Sequence, residues 1–213
     1  MPPSQSEFSR DSKELNLRAL ESHVVSMPIL RPGQLYKEVV LGDGRRAVLR
    51  APDWHDLDDF LGLINELVDE HADILRSTHS SHGEEAEWLG DRLTAIEKGN
   101  LIALVAEING RVVASSDIAQ RTPENPEHSH VGVLGIAVLK NARGIGLGRM
   151  LMESLLQLAK QAGLKIIILD MFATNAVARR LYEKVGFVEV GKIPKGINRD
   201  GKYIDLIRFA IEI

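Results

Sequence analysis

Residues 143–149 read Arg-Gly-Ile-Gly-Leu-Gly-Arg, three alternating glycines enclosed by two arginines. An apolar run, Val131 to Leu139, precedes this stretch, and leucines at helical spacing follow it. The pattern predicts a strand, a tight turn and a helix. Glycine lets the backbone approach a ligand closely, and a helix start presents unpaired N–H groups at the positive end of its dipole. The turn is therefore a candidate anion site, most naturally for a phosphate group.

Two common nucleotide motifs do not fit this turn. A P-loop ends in Gly-Lys-Ser/Thr, where this chain has Arg149 and Met150. A dinucleotide-binding turn has the pattern G-x-G-x-x-G, and its third glycine, counted from Gly144, would fall on Arg149. A turn without any ligand is the other interpretation, but three alternating glycines between two arginines favour anion binding.

The elements around the turn follow from hydrophobic spacing and turn residues. Asn109-Gly110 lies between two β-rich runs and is typical of a type I′ hairpin. We expect the strand 131–139 to be buried on both faces and to be connected by a parallel crossover to the strand 165–171. The predicted order is β α α β β β α β α β β. This order indicates an α+β (mixed α/β) fold with a mostly antiparallel sheet flanked by helices. Helices are predicted from Leu57 to Val68 with Asp53 as the cap, from Trp88 to Ile96, after the glycine-rich turn, and from Asn175 to Val185.

Composition narrows the class of protein. The chain has 213 residues, of which 44% are hydrophobic and 26% charged, as expected for one folded domain. It contains no cysteine, which excludes disulfides, thiolate metal sites and a cysteine nucleophile. The net charge of −4 has the wrong sign for a nucleic-acid partner.

We predict no membrane span and no signal peptide, hence a cytoplasmic protein. Residues 1–35 are expected to be an N-terminal extension of doubtful order, and residues 36–213 the domain.

Two motifs resemble the GNAT superfamily of acyl-CoA-dependent N-acyltransferases. The first, around the glycine-rich turn, is similar to its R-x-x-G-x-G signature; the second is similar to its N-x-x-A-x-x-L-Y-x-K-x-G-F run. The resemblance extends from about Gly44 to Ile213. The part from Asn175 through Tyr203 and Asp205 is most similar to enzymes that acetylate protein N-termini or free amino acids. The matching residues are Val138, Arg143, Gly146 and Gly148 in the first motif, and Asn175, Ala178, Leu181, Tyr182, Lys184, Gly186 and Phe187 in the second.

The resemblance implies a donor and a reaction. Acetyl-CoA would insert between splayed central strands, and its acetyl group would pass to a primary amine (a protein N-terminus, an amino acid or another small amine) by direct attack in a ternary complex. The alternative is a catalytically silent acyl-CoA-binding sensor, against which the presence of Tyr182 argues. The implied donor contacts are the backbone of Ile136, Ala137 and Val138 with the pantetheine amides, the N–H groups of Arg143, Gly144, Ile145, Gly146, Leu147, Gly148 and Arg149 with the pyrophosphate, and Asn175 through one more hydrogen bond.

Tyr182 and Asp170 are the implied catalytic pair. Tyr182 would protonate the departing thiolate; the alternative is that it only continues the apolar stripe of its helix. Asp170, expected at the end of a buried strand, would act as the base through water or else be structural. Gly132 stands where histone-type relatives carry a glutamate base, which argues against that mode. A weak base points to an α-amine acceptor, because its pKa of about 7.7–8.0 lies well below that of lysine, about 10.4.

The acceptor side is less defined. Eight carboxylates and no Lys or Arg lie between Asp53 and Asp73, and they form either a field that attracts a cationic amine or a solvated helix face. Glu70 and His130 are candidate substrate contacts. The histidines His71, His79 and His82 match no standard ligand spacing, so no metal is expected. A homodimer remains open.

Overall fold

The structure is a computed structural model that describes residues 30–121 and 125–213. Most of the predicted N-terminal extension, residues 1–29, lies outside these ranges. The described residues form eight strands and four α-helices. The strands are β1 Leu35–Val40, β2 Arg46–Arg50, β3 Leu101–Ile108, β4 Arg111–Gln120, β5 Val131–Val138, β6 Ile166–Phe172, β7 Val188–Arg199 and β8 Lys202–Glu212; the helices are α1 Leu57–Asp69, α2 His82–Glu97, α3 Leu147–Gln161 and α4 Ala176–Val185.

All eight strands belong to one sheet with the order β1-β2-β3-β4-β5-β6-β8-β7. Every neighbouring pair is antiparallel except β5 and β6, which are parallel and joined through α3. The predicted α+β architecture and its single parallel crossover are confirmed. The hairpin at Asn109-Gly110 is also confirmed, since the two residues have φ values of 53° and 77°, as a type I′ turn requires.

The structure adds one strand that the sequence analysis did not predict. β1 pairs with β2 across the turn from Leu41 to Gly44, so the regular sheet begins at Leu35, inside the predicted extension. Pro32 and Gly33 give this region the composition of a loop, and β1 lies at the sheet edge, where its side chains are exposed or half-buried and none is fully buried. Asp53 caps as predicted, although it does so for a short 3-10 turn, Trp54–Asp56, that leads into α1.

The helices cover opposite faces of the sheet. A β-carbon at Gly148 of α3 would contact the side chains of Ile136 in β5 and Leu181 in α4, so α3 and α4 share one face. On the other face, Arg92 of α2 forms an ion pair with Asp117 of β4. We call these the α3 face and the α2 face.

The two central strands separate along their length. β5 and β6 pair only from Val131 to Val133 with Ile166 to Ile168, and beyond these residues the two strands share no ladder. We call the space between them the gap. β5 is not buried on both faces as predicted, because Val133 is 38% exposed and Gly135 is exposed on the α2 face. No helix covers β5 there, since α1 and α2 pack over β3 and β4 instead.

Candidate active site

The gap leaves backbone groups of β5 without a strand partner. The N–H of Leu139 donates to the carbonyl of Val113, and the N–H of Arg121 donates to the carbonyl of Val131. In this antiparallel pair, the odd-numbered residues of β5 are therefore the ones that are hydrogen-bonded to β4. The backbone groups of Ile136 and Val138 therefore face the gap. Those of Ala137 point to β4, so of the three predicted pantetheine contacts two have the required direction.

The glycine-rich turn places a set of free N–H groups at the wide end of the gap. Gly144 and Gly146 have φ values of 77° and 89°, a conformation that glycine adopts without strain. Gly146 precedes α3 as a cap that makes no side-chain hydrogen bond. Within the described part of the chain, the six N–H groups from Gly144 to Arg149 donate to no protein acceptor. A helix start with its amides free is the arrangement that binds phosphate.

The neighbouring turn between β1 and β2 supports this cradle. The N–H of Gly42 donates to the carbonyl of Ile145 at 3.2 Å, and Arg45 donates to the carbonyl of Asn141 at 3.3 Å. Because the carbonyl of Ile145 points towards Gly42 in the turn after β1, the N–H groups of the glycine-rich turn point away from β1. The sequence analysis missed these residues because the unpredicted strand β1 carries them into place.

The two arginines of the turn are engaged within the protein. Arg143 donates from Nε to the carbonyl of Val138 at 2.8 Å and forms an ion pair with Glu70. Arg149 pairs with Glu153 one helical turn later, at 2.8 Å. Arg143 therefore fixes the end of β5 to the turn and satisfies one of the two gap-facing carbonyls. The anion site depends on backbone amides more than on these guanidinium groups.

Asn175 stands at the start of α4. Its Oδ1 accepts from the N–H of Ala178 at 3.0 Å, which caps the helix. Its Nδ2 makes no hydrogen bond among the described residues, so this amide can donate to a ligand while the cap stays in place. The geometry thus allows donation by Asn175 while its oxygen serves as the helix cap.

Tyr182 has a buried ring and an accessible hydroxyl. The residue is only 8% exposed, and its ring packs against Phe187 and Phe209 at centroid distances of 6.2 and 6.1 Å. The hydroxyl makes no hydrogen bond among the described residues, and it is not among the fully buried unpaired atoms. Burial raises the pKa of Tyr182 to about 12. The phenol is therefore protonated at physiological pH and free to donate.

Asp170 differs from its predicted setting. It is the third residue from the end of β6 and is exposed on the α2 face, although the rest of the strand is buried or half-buried. Both its oxygens accept from Arg208 on β8, each at 2.7 Å, and this pairing raises the pKa of Arg208. The alternation along β6 buries Ile167 and Leu169 and sends Asp170 to the open face. The structure shows a carboxylate used by a cross-strand ion pair.

The two predicted substrate contacts lie apart. Glu70 forms the ion pair with Arg143 described above, so its carboxylate ties the end of α1 to the turn. His130 precedes β5 at the closed end, where its carbonyl accepts from Lys165 and Ile166. Six residues separate His130 from Ile136, about 20 Å along a strand. The structure therefore does not bring His130 to the gap.

Most of the acidic run on α1 is used structurally. Asp56 is 2% exposed and pairs with Arg50, and Glu66 pairs with Arg111. Asp59 accepts from the N–H of Val112. These contacts favour the interpretation of a structural helix over that of an attracting field.

The histidines near this run do not form a metal site. His79 contacts Asp69 and His82 contacts Asp58. Within residues 30–121 and 125–213, no three His, Asp or Glu side chains converge in a way that could hold a metal ion. None of the helices in these same ranges combines the length and the apolar character that crossing a bilayer requires.

The loop between α1 and α2 crosses the wide end of the gap. On the β5 side, Glu70 holds it to Arg143. On the β6 side, Arg199 at the end of β7 donates to the carbonyls of Ala72 and Ile74. The guanidinium of Arg199 lies 4.8 Å from the ring centroid of Phe172, the last residue of β6. The loop is thus tied to both walls of the gap and forms a roof over it.

Two cavities border the loop between α1 and α2 and the end of β7. One, of about 240 Å³, is lined by both signs of charge, including Asp69, Arg76, Arg199 and Asp200. Its neighbour, of about 230 Å³, includes Phe172, two residues along β6 from Asp170 and on the same face of the sheet. A small molecule carrying both charges fits such a lining.

Comparison with known proteins agrees with this geometry. The sequence profile of the Acetyltransferase (GNAT) family matches residues 64–187. The L-amino acid N-acetyltransferase AaaT of Escherichia coli K12 is 32% identical over 144 residues, 66% of this chain and 82% of that protein.

Solved structures of acetyltransferases share the fold. The ribosomal-protein-alanine N-acetyltransferase of Brucella melitensis superimposes with a TM-score of 0.69 at 27% identity, covering 78% of this chain and 99% of that one. A phosphinothricin acetyltransferase of Sinorhizobium meliloti, solved with acetyl-CoA, gives a TM-score of 0.68 at 20% identity and covers 78% and 88% of the two chains. With parted central strands, a cradle of free amides and more than half of its length matched by the family profile, the chain belongs to the acetyltransferase (GNAT) family.

Proposed function

We propose that this acetyltransferase transfers the acetyl group of acetyl-CoA to the α-amine of a free amino acid. The observation that carries the proposal is the pairing of two features at one place: six backbone amides free at the start of α3, and two gap-facing residues of β5 immediately before them. A ligand that bears a diphosphate next to a chain of amides is complementary to both.

In this proposal the donor lies along β5. The N–H and carbonyl of Ile136 and the N–H of Val138 pair with the pantetheine amides, as an added strand would. The amides from Gly144 to Arg149 hold the diphosphate, and Nδ2 of Asn175 donates one further hydrogen bond. The thioester then lies in the gap, which opens to the α2 face.

The proposed role of Tyr182 is that of general acid. Acyl transfer to an amine requires a proton for the departing thiolate. A phenol with a pKa of about 12 keeps its proton at any physiological pH and donates a hydrogen bond to the sulfur as negative charge develops there. The apolar ring contacts fix its position without occupying the hydroxyl.

The proposed acceptor is small and zwitterionic. The two cavities beside the end of β7 are lined by cationic and anionic side chains together, among them Arg76, Arg199, Asp69 and Asp200. AaaT, the E. coli relative, is named for L-amino acids, which supports the same class.

The alternative of a silent acyl-CoA sensor is not favoured. A sensor would need the amide cradle but not an accessible phenol that is free to donate. Here the hydroxyl of Tyr182 accompanies the cradle.

The test is release of CoA thiol from acetyl-CoA by the purified chain with four acceptor classes: free L-amino acids, peptides with a free N-terminus, polyamines and N-α-blocked lysine. We expect release only with amino acids. Faster release with peptides would reassign the acceptor, and tight binding of acetyl-CoA without release in any class would support the sensor. A cytoplasmic location and a homodimer stay predictions of the sequence.

A further inference from the structure

β4 carries a carboxylate in the middle of the sheet. Asp117 follows Ser115 and Ser116 in a strand that has a partner on each side. Carboxylates are rare in such strands, because burying a charge costs free energy unless the charge is paired or used. The acetyl-transfer scheme above gives Asp117 no role.

Its position brings it to the gap. Asp117 is paired in register with Gly135 of β5, on the α2 face. A β-carbon at Gly135 would lie 3.5 Å from Oδ2 of Asp117, so the carboxylate lies over the bare backbone of β5. The next residue, Ile136, turns its backbone to the gap. Neighbouring strands are about 4.8 Å apart, which places the carboxylate within reach of an amine in the gap, directly or through one water.

Two carboxylates therefore flank the gap on this face, and they differ in availability. Both oxygens of Asp170 accept from Arg208. At Asp117, Oδ2 lies 2.5 Å from Nη2 of Arg92, whereas Oδ1 makes no hydrogen bond among the described residues and is not closed off from solvent. The side chain of Asp117 is 21% exposed. Oδ1 of Asp117 is therefore available to accept a hydrogen bond or a proton, whereas both oxygens of Asp170 are already engaged.

The other oxygen of Asp117 is paired with Arg92. The guanidinium of Arg92 lies 4.6 Å from the ring centroid of Trp88, which in turn meets Phe60 edge-on at 5.2 Å. Within the described residues, Arg92 from α2 is the charged group paired with Asp117, and the Asp170–Arg208 pair of β6 and β8 lies on the same face of the sheet. The ion pair draws Oδ2 towards Arg92, although Nη2 of Arg92 makes no hydrogen bond of good geometry, and it leaves Oδ1 on the same side chain without a partner among the described residues.

We propose that Asp117, and not Asp170, receives the acceptor amine and takes its proton. This inference rests on the acetyl transfer proposed above but not on which amine is used. The acceptor ammonium gives one proton to Asp117, and the nitrogen lone pair forms the C–N bond at the thioester carbonyl. The C–S bond breaks, and the thiolate takes a proton from Tyr182, which regains one from the nitrogen of the collapsing intermediate through water. Asp117 then returns its proton to solvent, so that one proton is released per turnover.

The test compares Asp117→Asn with Asp170→Asn as the matched control. For Asp117→Asn we expect kcat/KM for the amine to fall 10²- to 10⁴-fold at pH 7, the range for loss of a general base. The deficit should shrink as the pH approaches the amine's own pKa, because the amine is then neutral without help. The dissociation constant of acetyl-CoA should stay within twofold, and Asp170→Asn should lose less than tenfold.

Gly135→Ala is a second variant that does not depend on Asn being tolerated beside Arg92. Its added methyl makes an ordinary contact with Asp117 but fills the space between carboxylate and gap. We expect a higher KM for the amine with unchanged acetyl-CoA affinity. An active Asp117→Asn enzyme, or a loss that is independent of pH, overturns the proposal, as does a larger loss in Asp170→Asn. If the wild-type chain releases no thiol with any amine, the proposed function fails first and this inference fails with it.

Discussion

Replacing Tyr182 by phenylalanine removes the hydroxyl proposed as general acid and keeps the aromatic ring that packs in the core. The ring keeps its contacts with Phe187 and Phe209, and the hydroxyl it loses has no partner in the described structure. We therefore expect the stability at pH 7 to change by less than about 0.5 kcal/mol. Turnover should fall about 10²- to 10⁴-fold, the range for a general acid, which corresponds to about 2.7 to 5.4 kcal/mol in the activation free energy.

The same variant should alter stability at alkaline pH. The pKa of Tyr182 is about 12 in the folded chain, against 10.0 for the ordinary residue. The folded state holds this proton more tightly than the unfolded state. The contribution of Tyr182 to the free energy of unfolding is therefore fully present below pH 10 and is lost as the pH rises towards 12. The loss in the free energy of unfolding is about 1.4 kcal/mol at pH 11 and approaches about 2.7 kcal/mol above pH 12.

Urea denaturation of both proteins at pH 8, 10 and 11, alongside steady-state kinetics at pH 8, measures both effects. Other titrating groups are common to the two proteins and cancel in the difference. Tyr182→Phe should be the more stable protein at pH 11 by about 1.4 kcal/mol relative to the difference at pH 8. Turnover within threefold of the wild type would remove Tyr182 from the chemistry, and equal alkaline losses would contradict the buried setting of its phenol.

Three further changes test other parts of the structure. Gly146→Ala should weaken CoA binding and destabilise the protein by about 1–2 kcal/mol, since residue 146 has a φ of 89° and alanine disfavours it; calorimetric titration with CoA measures the affinity. Gly132→Ala should lower the free energy of unfolding by about 1–3 kcal/mol without changing the affinity for CoA, because its β-carbon would lie 2.6 Å from Ile118 at the closed end of the gap. Unchanged thermal stability would contradict this packing. Asp56→Ala should lower the free energy of unfolding by about 1–3 kcal/mol, since the partly buried Arg50 loses its closest partner and keeps only Glu107; a chemical denaturation midpoint equal to that of the wild type would refute the assignment.

Features with local signals were predictable from the sequence. Asn109-Gly110 specifies its hairpin because both residues accept positive φ, and the alternating glycines of 143–149 specify the turn before α3. The order of the elements follows from hydrophobic spacing, which is also a local property.

Features that depend on distant pairing were not predictable. The side chain of Arg143 looks like an anion ligand in the sequence, but it is bound by Glu70, which lies 73 residues earlier. The exposure of Asp170 follows from the register with Arg208 on β8, which the sequence does not reveal. Asp117 gave a weak signal, a carboxylate in an apolar strand, but its partner Arg92 and its neighbour Gly135 come from other elements.

The three residue pairs that join β5 to β6 are the only ladder between the first five strands of the sheet and the last three within the described residues. The sheet therefore has two parts, β1 to β5 and β6 to β8, which are joined by these three residue pairs and by the helix α3 that connects β5 to β6. A donor molecule lying in the gap would add hydrogen bonds beyond these three pairs, alongside the α1–α2 loop that already connects the two walls of the gap, and would hold the two parts of the sheet together more firmly. At a hundredfold excess over its dissociation constant, such a molecule raises the unfolding free energy by about 2.7 kcal/mol, and resistance to proteases would then follow the supply of donor.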